Sequence, residues 1–227
     1  MTRPATPLID VHAHFVTDDY VAAAIASGRR HPDGMPGWPS WDAEQNLTLM
    51  DTWGVGAAVL RYALGLGRPA PMMEFIFDTA RTVSDLLLRG VFTRYPDIEW
   101  IFTHGGGALP LLADRLELFR SAFAGAAGSA FGSGDAPAVQ AQVRRLWFDM
   151  AGTPFPNQVP ALVKAFGSDR VLYGSDYCWT PAPGVTAQVA SVDAASAGGT
   201  VDGTGGTDWR ALTSRNAARL LPRLAGL

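Results

Sequence analysis

The stretch LIDVHAHF, Leu8–Phe15, joins a run of apolar residues to two histidines that lie two positions apart. A short run of this kind predicts a buried strand. Because side chains alternate along a strand, His12 and His14 point to the same face, where two imidazoles can hold one metal ion. The alternative interpretation is a pair of hydrogen-bonded histidines without a metal. The choice between them depends on whether the rest of the chain supplies further ligands.

Composition favours a globular protein that acts on a small molecule. The chain has 227 residues, of which 48% are hydrophobic and 17% charged, enough apolar mass for one domain spanning residues 1–227. The net charge is −3 and the chain has no basic run, which argues against nucleic acid or an anionic membrane as partner. Cys178 is the single cysteine, so an intrachain disulfide is excluded. The opening MTRPATPLID lacks an apolar leader segment, and we expect a soluble, cytoplasmic protein.

Short apolar segments alternate with helical patterns along the chain. Five segments are predicted as buried strands, at 8–15, 56–63, 98–105, 145–152 and 170–177. Six are predicted as helices, at 19–28, 42–54, 72–95, 109–123, 158–167 and 209–224. Such alternation predicts a parallel sheet covered by helices.

Local signals mark several element ends and two loops. Asp42, with Gln45 three positions later, is predicted to cap the second helix, Gly54 to end it, and Pro96 to stop the third. Two segments rich in Ala, Gly, Ser and Thr, at 123–138 and 193–208, are predicted as loops because they contain few large apolar side chains.

Polar residues follow the predicted strands, at the edge where parallel α/β folds assemble their active sites. His104 follows the third strand and precedes a glycine run, which lets the backbone approach a ligand closely; the alternative is a tight turn with an incidental histidine. Asp176 follows the fifth strand, and the alternative for it is a turn or helix-capping aspartate. His31 is interpreted as a loop residue.

Five motifs occur in an order that resembles a known family. DVHAHF, GVGAAVL, FDTARTVSDLLLRGVFTRYPDI, HGGGALPLLADRL and VLYGSDY resemble the amidohydrolase-related family that includes aminocarboxymuconate-semialdehyde decarboxylase and the metal-dependent aromatic-acid decarboxylases. Residues 28–55 resemble the amino-terminal part of 6-methylsalicylate decarboxylase-type sequences. The resemblance covers most of the chain.

The resemblance implies a distorted eight-stranded β/α barrel with one divalent metal ion, zinc in the first place and manganese as the alternative. His12 and His14 match the first-strand ligands, Asp176 matches the carboxylate ligand after the last strand, and His104 matches the catalytic histidine. Arg115 matches an arginine that family members present to the substrate carboxylate of a neighbouring subunit, which implies a homodimer.

The chain departs from the family pattern in two places. The arginine of the pattern W-D-x-E-x-R falls on Asn46, which removes one expected carboxylate-binding group. The family's third to fifth strands, the last of which ends in a metal-ligating histidine, are missing between about residues 60 and 71. A closed barrel of this type has eight strands in about 250 residues, so we expect a TIM-barrel-like α/β domain that is incomplete, with about five strands and a weakened metal site.

Three functional hypotheses follow. The first is a metal-dependent, non-oxidative decarboxylase of a small aromatic or unsaturated carboxylic acid. In it His12, His14 and Asp176 bind the metal, His104 and Asp176 handle protons, and Arg115 pairs with the substrate carboxylate. The second is a metal-dependent hydrolase of a lactone, ester or amide, which uses the same ligands. The third is a catalytically inactive, truncated relative.

Overall fold

The strands of this protein all run parallel to their neighbours. The computed structural model describes residues 7–32, 35–61, 72–123, 137–197 and 206–224. Within these ranges the five strands are β1 (Leu8–His14), β2 (Val55–Arg61), β3 (Ile101–Phe102), β4 (Trp147–Asp149) and β5 (Val171–Leu172). Each lies inside a segment that the sequence predicts as a strand or shifted from it by one residue, although β3, β4 and β5 are shorter than predicted.

Backbone hydrogen bonds join the strands into one curved series. β1 pairs with β2, and β4 lies between β3 and β5. Asp10 forms a parallel bridge to Tyr173, directly after β5, and the Val11 N–H donates to the Tyr173 carbonyl at 2.7 Å. The spatial order is therefore β2, β1, β5, β4, β3, which places the carboxyl ends of β1 and β5 side by side.

This order is that of an incomplete TIM-type barrel. Five parallel strands cannot close a barrel that requires eight, and β2 and β3 lie at the two ends of the described series. The predicted fold class is confirmed. The segment in which the central strands are predicted to be missing lies mostly outside the described residues, since 62–71 are not among them. Both that gap and the single-domain assignment stay predictions.

Helices lie between the strands. They are α1 (Asp18–Ala26), α2 (Ala43–Trp53), α3 (Glu74–Leu88), α4 (Val91–Arg94), α5 (Leu109–Ala122), α6 (Val139–Val143), α7 (Val159–Phe166), α8 (Ala182–Ser196) and α9 (Trp209–Leu220). The predicted cap of α2 is confirmed, because the Gln45 N–H donates to Asp42 Oδ1 at 2.7 Å. Gly54 ends that helix in the left-handed conformation, with φ 68°.

One helix prediction and one loop prediction are wrong in detail. The single helix expected over 72–95 is divided into α3 and α4, because Gly90 adopts a left-handed φ of 65° between them. The loop expected over 193–208 begins later, because α8 continues to Ser196; residues 124–136 and 198–205 of the two predicted loops lie outside the described part of the chain. Helix α8 is not among the predicted helices, because the prolines near its start argue against a helix, although the first turn of a helix tolerates proline.

Side-chain alternation along β1 separates the core from the site. Ile9 and Val11 pack with Trp147, Leu172 and Ala217 of α9, whereas the intervening residues of β1 are polar yet equally buried. The polar face of β1 therefore lies inside the strand series. In the described residues, no helix combines the length and apolar character needed to cross a membrane.

Candidate metal centre

Three predicted ligands meet at the carboxyl ends of β1 and β5. The Nε2 atoms of His12 and His14 are 3.0 Å apart. Asp176 Oδ1 lies 3.2 Å from His12 Nε2 and 2.9 Å from His14 Nε2. The side chains are almost fully buried, with exposed fractions of 4%, 5% and 15%. Among the described residues, these three form the one cluster of side chains with metal-ligating spacing.

The geometry of the three atoms fits a small divalent ion. An ion with tetrahedral bonds of about 2.1 Å holds its ligand atoms about 3.4 Å apart, close to the observed 2.9 to 3.2 Å. Two imidazole nitrogens and one carboxylate oxygen are the donors that zinc and related ions take in catalytic sites, where a further position stays open for water or substrate. The residues present therefore fit the metal that the sequence predicts.

Asp176 is held by its backbone and by its second oxygen. Its N–H donates to the His12 carbonyl at 2.5 Å, and Thr180 Oγ1 donates to Oδ2 at 3.1 Å. Its φ of 59° is a left-handed value that is uncommon outside glycine and concentrates at functional positions. Asp176 does not cap α8, whose N-cap is Pro181. These contacts direct Oδ1 at the two histidines.

His104 begins a turn in which four successive residues have positive φ. Its own φ is 53°, and the three glycines that follow have φ values of 62°, 74° and 62°. The glycines are needed both for this conformation and for space, since a Cβ on Gly106 would lie 2.8 Å from the Phe148 ring. The segment is thus a tight strand-to-helix turn, and it brings the His104 ring to 5.1 Å from the His12 ring, measured between centroids.

The surroundings of His104 favour one tautomer. Its Nδ1 lies 3.3 Å from the Ala151 carbonyl oxygen, which also accepts a hydrogen bond from Gln158 Nε2 at 3.0 Å. A carbonyl oxygen only accepts, so this contact favours a proton on Nδ1. The Nε2 atom is then left to exchange a proton with a bound molecule.

Two buried carboxylates were missed in the sequence. Asp149, fully buried at the end of β4, has Oδ2 2.9 Å from His12 Nδ1, while its Oδ1 accepts from the His104 N–H at 2.9 Å. Asp10 Oδ1 accepts from the backbone N–H groups of His12 at 2.9 Å and Ser175 at 2.8 Å. Asp149 ends β4 in the structure, but the strand predicted from the sequence continues to residue 152, so the strand-end rule that selected His104 and Asp176 did not select it.

Burial and charge act in opposite directions on these groups. Burial lowers the pKa of His12, but its attraction to Asp149 and hydrogen bonding to Asp176 outweigh this and raise the pKa to about 10. The pKa values of Asp149 and Asp176 are lowered despite their burial, chiefly by the contacts with His12. Burial raises the pKa of Asp10 to about 7. Asp149 and Asp176 are therefore the ionised carboxylates of the centre that attract a cation.

A cavity of about 350 Å³ opens beside this cluster. His104, Asp176 and Gln158 contribute polar groups to its wall, and its apolar side includes Met35, Met72, Ile76 and Trp179. Its size and mixed lining suit a small organic molecule. The cavity therefore lies directly against Asp176, one of the three residues of the cluster.

Three residues discussed in the sequence analysis lie outside both the ligand cluster and the cavity wall. Arg115 is on the exposed face of α5, with its guanidinium 4.9 Å from the centre of the Phe119 ring, and is not among the residues that line the cavity. Asn46, in α2, donates to Met50 Sδ at 3.4 Å. His31 is an exposed loop residue whose Nδ1 lies 3.0 Å from the Pro36 carbonyl.

Comparison with known proteins identifies the family. The fold is that of an incomplete α/β barrel, and the family model described as Amidohydrolase matches residues 60–223, more than half of the chain. The chain belongs to this amidohydrolase family, which confirms the resemblance seen in the sequence.

Curated relatives of this chain are fungal decarboxylases. Decarboxylase yanB of Aspergillus niger is 28% identical over 160 residues, which cover 68% of this chain and 40% of that protein. The 6-methylsalicylic acid decarboxylase of Penicillium expansum is 31% identical over 109 residues, 48% of this chain and 32% of that protein. The chain thus spans less than half the length of the curated relatives it matches.

Solved structures share the fold. A crystal structure described as an amidohydrolase II has a TM-score of 0.76 at 19% identity, and the match covers 95% of this chain and 100% of that chain. A dihydroxybenzoic acid decarboxylase from Polaromonas, solved with manganese and the inhibitor 2-nitroresorcinol, has a TM-score of 0.52 at 18% identity, covering 67% of this chain and 42% of that one. The first match shows that the short architecture occurs in another protein.

Proposed function

We propose that this chain is a metal-dependent, non-oxidative decarboxylase of a small aromatic or unsaturated carboxylic acid. The observation that carries the proposal is the convergence of His12, His14 and Asp176 ligand atoms within 3.2 Å of one another, beside a cavity that His104 also lines. The names of the fungal relatives, which are decarboxylases, support this reaction over others that use the same ligands.

The resident ion is proposed to be zinc, with manganese as the alternative. Two neutral imidazoles and a carboxylate suit either ion. The manganese in the dihydroxybenzoic acid decarboxylase supports the alternative. When bound, such an ion supplies Lewis-acid polarisation of the substrate's oxygen atoms.

The chain's own residues then account for the proton transfer. In decarboxylation the bond between carbon and carboxylate breaks, carbon dioxide leaves, and the carbon that keeps the electron pair takes up a proton. His104 lines the cavity with Nε2 available, and Asp176 also lines it, so either can first take a proton from water or from a hydroxyl group of the substrate and then deliver it to that carbon. The apolar wall, with Trp179 and Met72, packs against the substrate's carbon skeleton and excludes water.

Recognition of the substrate carboxylate is proposed to involve Arg115 from a second copy of the chain. The guanidinium of Arg115 is exposed on α5 and therefore accessible to a neighbouring molecule. A bidentate pair with a carboxylate is the contact that arginine makes best. This role requires a homodimer, and we propose one in the cytoplasm; sedimentation of the purified protein tests the dimer.

A substrate panel tests the reaction type. The metal-loaded protein is assayed for carbon dioxide release from hydroxybenzoates and related unsaturated acids, in parallel with hydrolysis of lactones and esters. Release of carbon dioxide from at least one acid supports the proposal. Turnover confined to the lactone and ester panel would replace it with a hydrolase, and no turnover at full metal loading would identify an inactive relative.

Replacing His104 with asparagine should reduce carbon dioxide release by about 10²- to 10⁴-fold, the usual effect of losing a proton-transfer group. Asparagine tolerates the left-handed φ of 53° at this position, so the turn should persist. Metal content per chain should be unchanged, because His104 is not in the ligand cluster. Full activity in this variant would show that His104 has no part in the reaction, and a loss of metal would show a structural role instead.

A further inference from the structure

Asp149 contacts the metal-ligand cluster through His12 and also contacts the turn at His104. It uses a different carboxylate oxygen for each contact. It ends β4 and has no exposed surface. Oδ1 accepts hydrogen bonds from two backbone N–H groups, those of His104 at 2.9 Å and Ala151 at 3.0 Å. Oδ2 faces the ring of His12, 2.9 Å from Nδ1. A buried carboxylate with two such sets of partners can hold the two segments at a fixed distance from each other.

The contact through Oδ1 acts on the backbone at His104. The His104 residue has a left-handed φ of 53°, a conformation that is strained outside glycine and persists only where its surroundings hold it. The hydrogen bond from its N–H to Asp149 is one such constraint, and the bond from Ala151 fixes the segment that faces the His104 ring. Asp149 thus supports the position of the His104 side chain through the backbone.

The contact through Oδ2 acts on the tautomer of His12. An ionised carboxylate oxygen only accepts, so its 2.9 Å contact with Nδ1 favours a proton on that nitrogen. In the neutral ring the lone pair is then on Nε2, and it is Nε2 that lies beside His14 Nε2 and Asp176 Oδ1, where a metal ion would take the place of the second proton. A carboxylate behind a histidine is a common way to orient a metal ligand and raise its basicity.

We infer that Asp149 is a positioning residue that sets His12 in the metal-binding tautomer and, through its other oxygen, holds the backbone of His104. This inference rests on the proposed metal centre, and it adds a residue that touches neither the ion nor the substrate. It links the two histidines through one side chain, so that the ligand and the proton-transfer group keep a fixed spacing.

Substitution of Asp149 by asparagine separates the two contacts. The amide oxygen of asparagine can still accept from the His104 and Ala151 N–H groups, which leaves its NH₂ group facing His12 Nδ1. An NH₂ group donates, so Nδ1 must then accept and the proton moves to Nε2. The backbone support should survive while His12 is left in the wrong tautomer for binding metal.

The matched control is Asp10→Asn. Asp10 is also buried and also accepts from two backbone N–H groups, but its hydrogen bond from His12 comes from the backbone N–H and not from the ring. The same change of carboxylate to amide there should leave the imidazole tautomer as in the wild-type protein. It therefore controls for loss of a buried charge beside β1.

The test measures the tautomer and the metal affinity separately. Nitrogen NMR of the metal-free protein, labelled in its histidines and brought to the alkaline side of the His12 pKa so that the neutral ring is observed, should show a proton on His12 Nδ1 in the wild type and in Asp10→Asn, but not in Asp149→Asn. Competition of the protein with a chromophoric chelator for Zn²⁺ should show about 10- to 100-fold weaker binding in Asp149→Asn. The thermal unfolding midpoint of each variant reports whether the fold persists.

Each outcome bears on the inference. An unprotonated Nδ1 with weakened Zn²⁺ binding in a folded Asp149→Asn variant supports it. A proton that stays on Nδ1, or Zn²⁺ affinity equal to that of the wild type, overturns it, as does an equal loss of affinity in Asp10→Asn. Because the NMR readout needs neither metal nor turnover, failure of the decarboxylase proposal would appear separately, as an absence of carbon dioxide release.

Discussion

Replacing Asp176 with asparagine should leave the protein folded but deprive it of its metal ion and its activity. Asparagine accepts the left-handed φ of 59° as readily as aspartate, and it can keep the bond from Thr180 Oγ1. The variant loses the anionic ligand that faces both histidines. Loss of a residue that only supports a ligand weakens metal binding by about 10- to 100-fold, and loss of the ligand itself should weaken it more. Carbon dioxide release should fall by about 10²-fold or more.

Elemental analysis per chain, thermal unfolding and carbon dioxide release together check this result. Asp169→Asn is the matched control, since Asp169 is an exposed carboxylate in the loop before β5, away from the ligand cluster. The control should keep wild-type metal content and rate. If Asp176→Asn bound metal as tightly as the wild type, Asp176 would not be a ligand.

Replacing Gly107 with alanine should lower the free energy of unfolding by about 2 to 6 kcal/mol, because backbone strain and overpacking both contribute. Gly107 has φ 62° and ψ −127°, a combination that residues with a Cβ avoid. The added Cβ would lie 2.0 Å from the Ile76 carbonyl oxygen, which accepts a hydrogen bond from the Ala108 N–H. Ile76 also lines the cavity, so the shift should reach the site.

Gly90→Ala separates strain from crowding in this measurement. Gly90 has a similar φ of 65°, but a Cβ there would have no atom within 4 Å. Gly90→Ala should lower the free energy of unfolding by only about 1 to 2 kcal/mol, the cost of placing a residue with a side chain in the left-handed conformation. Urea denaturation of both variants gives the comparison. Equal costs at the two positions would show that contact with Ile76 contributes nothing.

The fold was predictable because apolar runs and strand-helix alternation are local patterns. β1 is buried along its whole length, and its apolar residues and paired histidines mark it directly in the sequence. Helix α8 was missed because its N-cap is Pro181, its first turn contains Pro183 and Gly184, and its many alanines give little contrast between a buried and an exposed face. The division between α3 and α4 depends on the φ of Gly90, which periodicity does not report.

The candidate site was predictable only in part. His12, His14 and Asp176 were found because they end predicted strands, and the structure brings them together. Asp149 also ends a strand, but its role depends on its contact with His12 Nδ1. The two residues are 137 positions apart in the chain, so sequence spacing cannot reveal that contact. The role of Arg115 depends on a second copy of the chain, and that role stays a prediction.

Titration of the metal-free protein with Zn²⁺, and in parallel with Mn²⁺, tests the central claim most directly when bound metal and carbon dioxide release are measured in the same samples. The acid is the most active member of the hydroxybenzoate panel. We predict no release without metal, and with at least one ion a rate that rises with bound metal and levels off at one ion per chain. Full occupancy without release, or release that persists after the metal is removed, would contradict a metal-dependent decarboxylase.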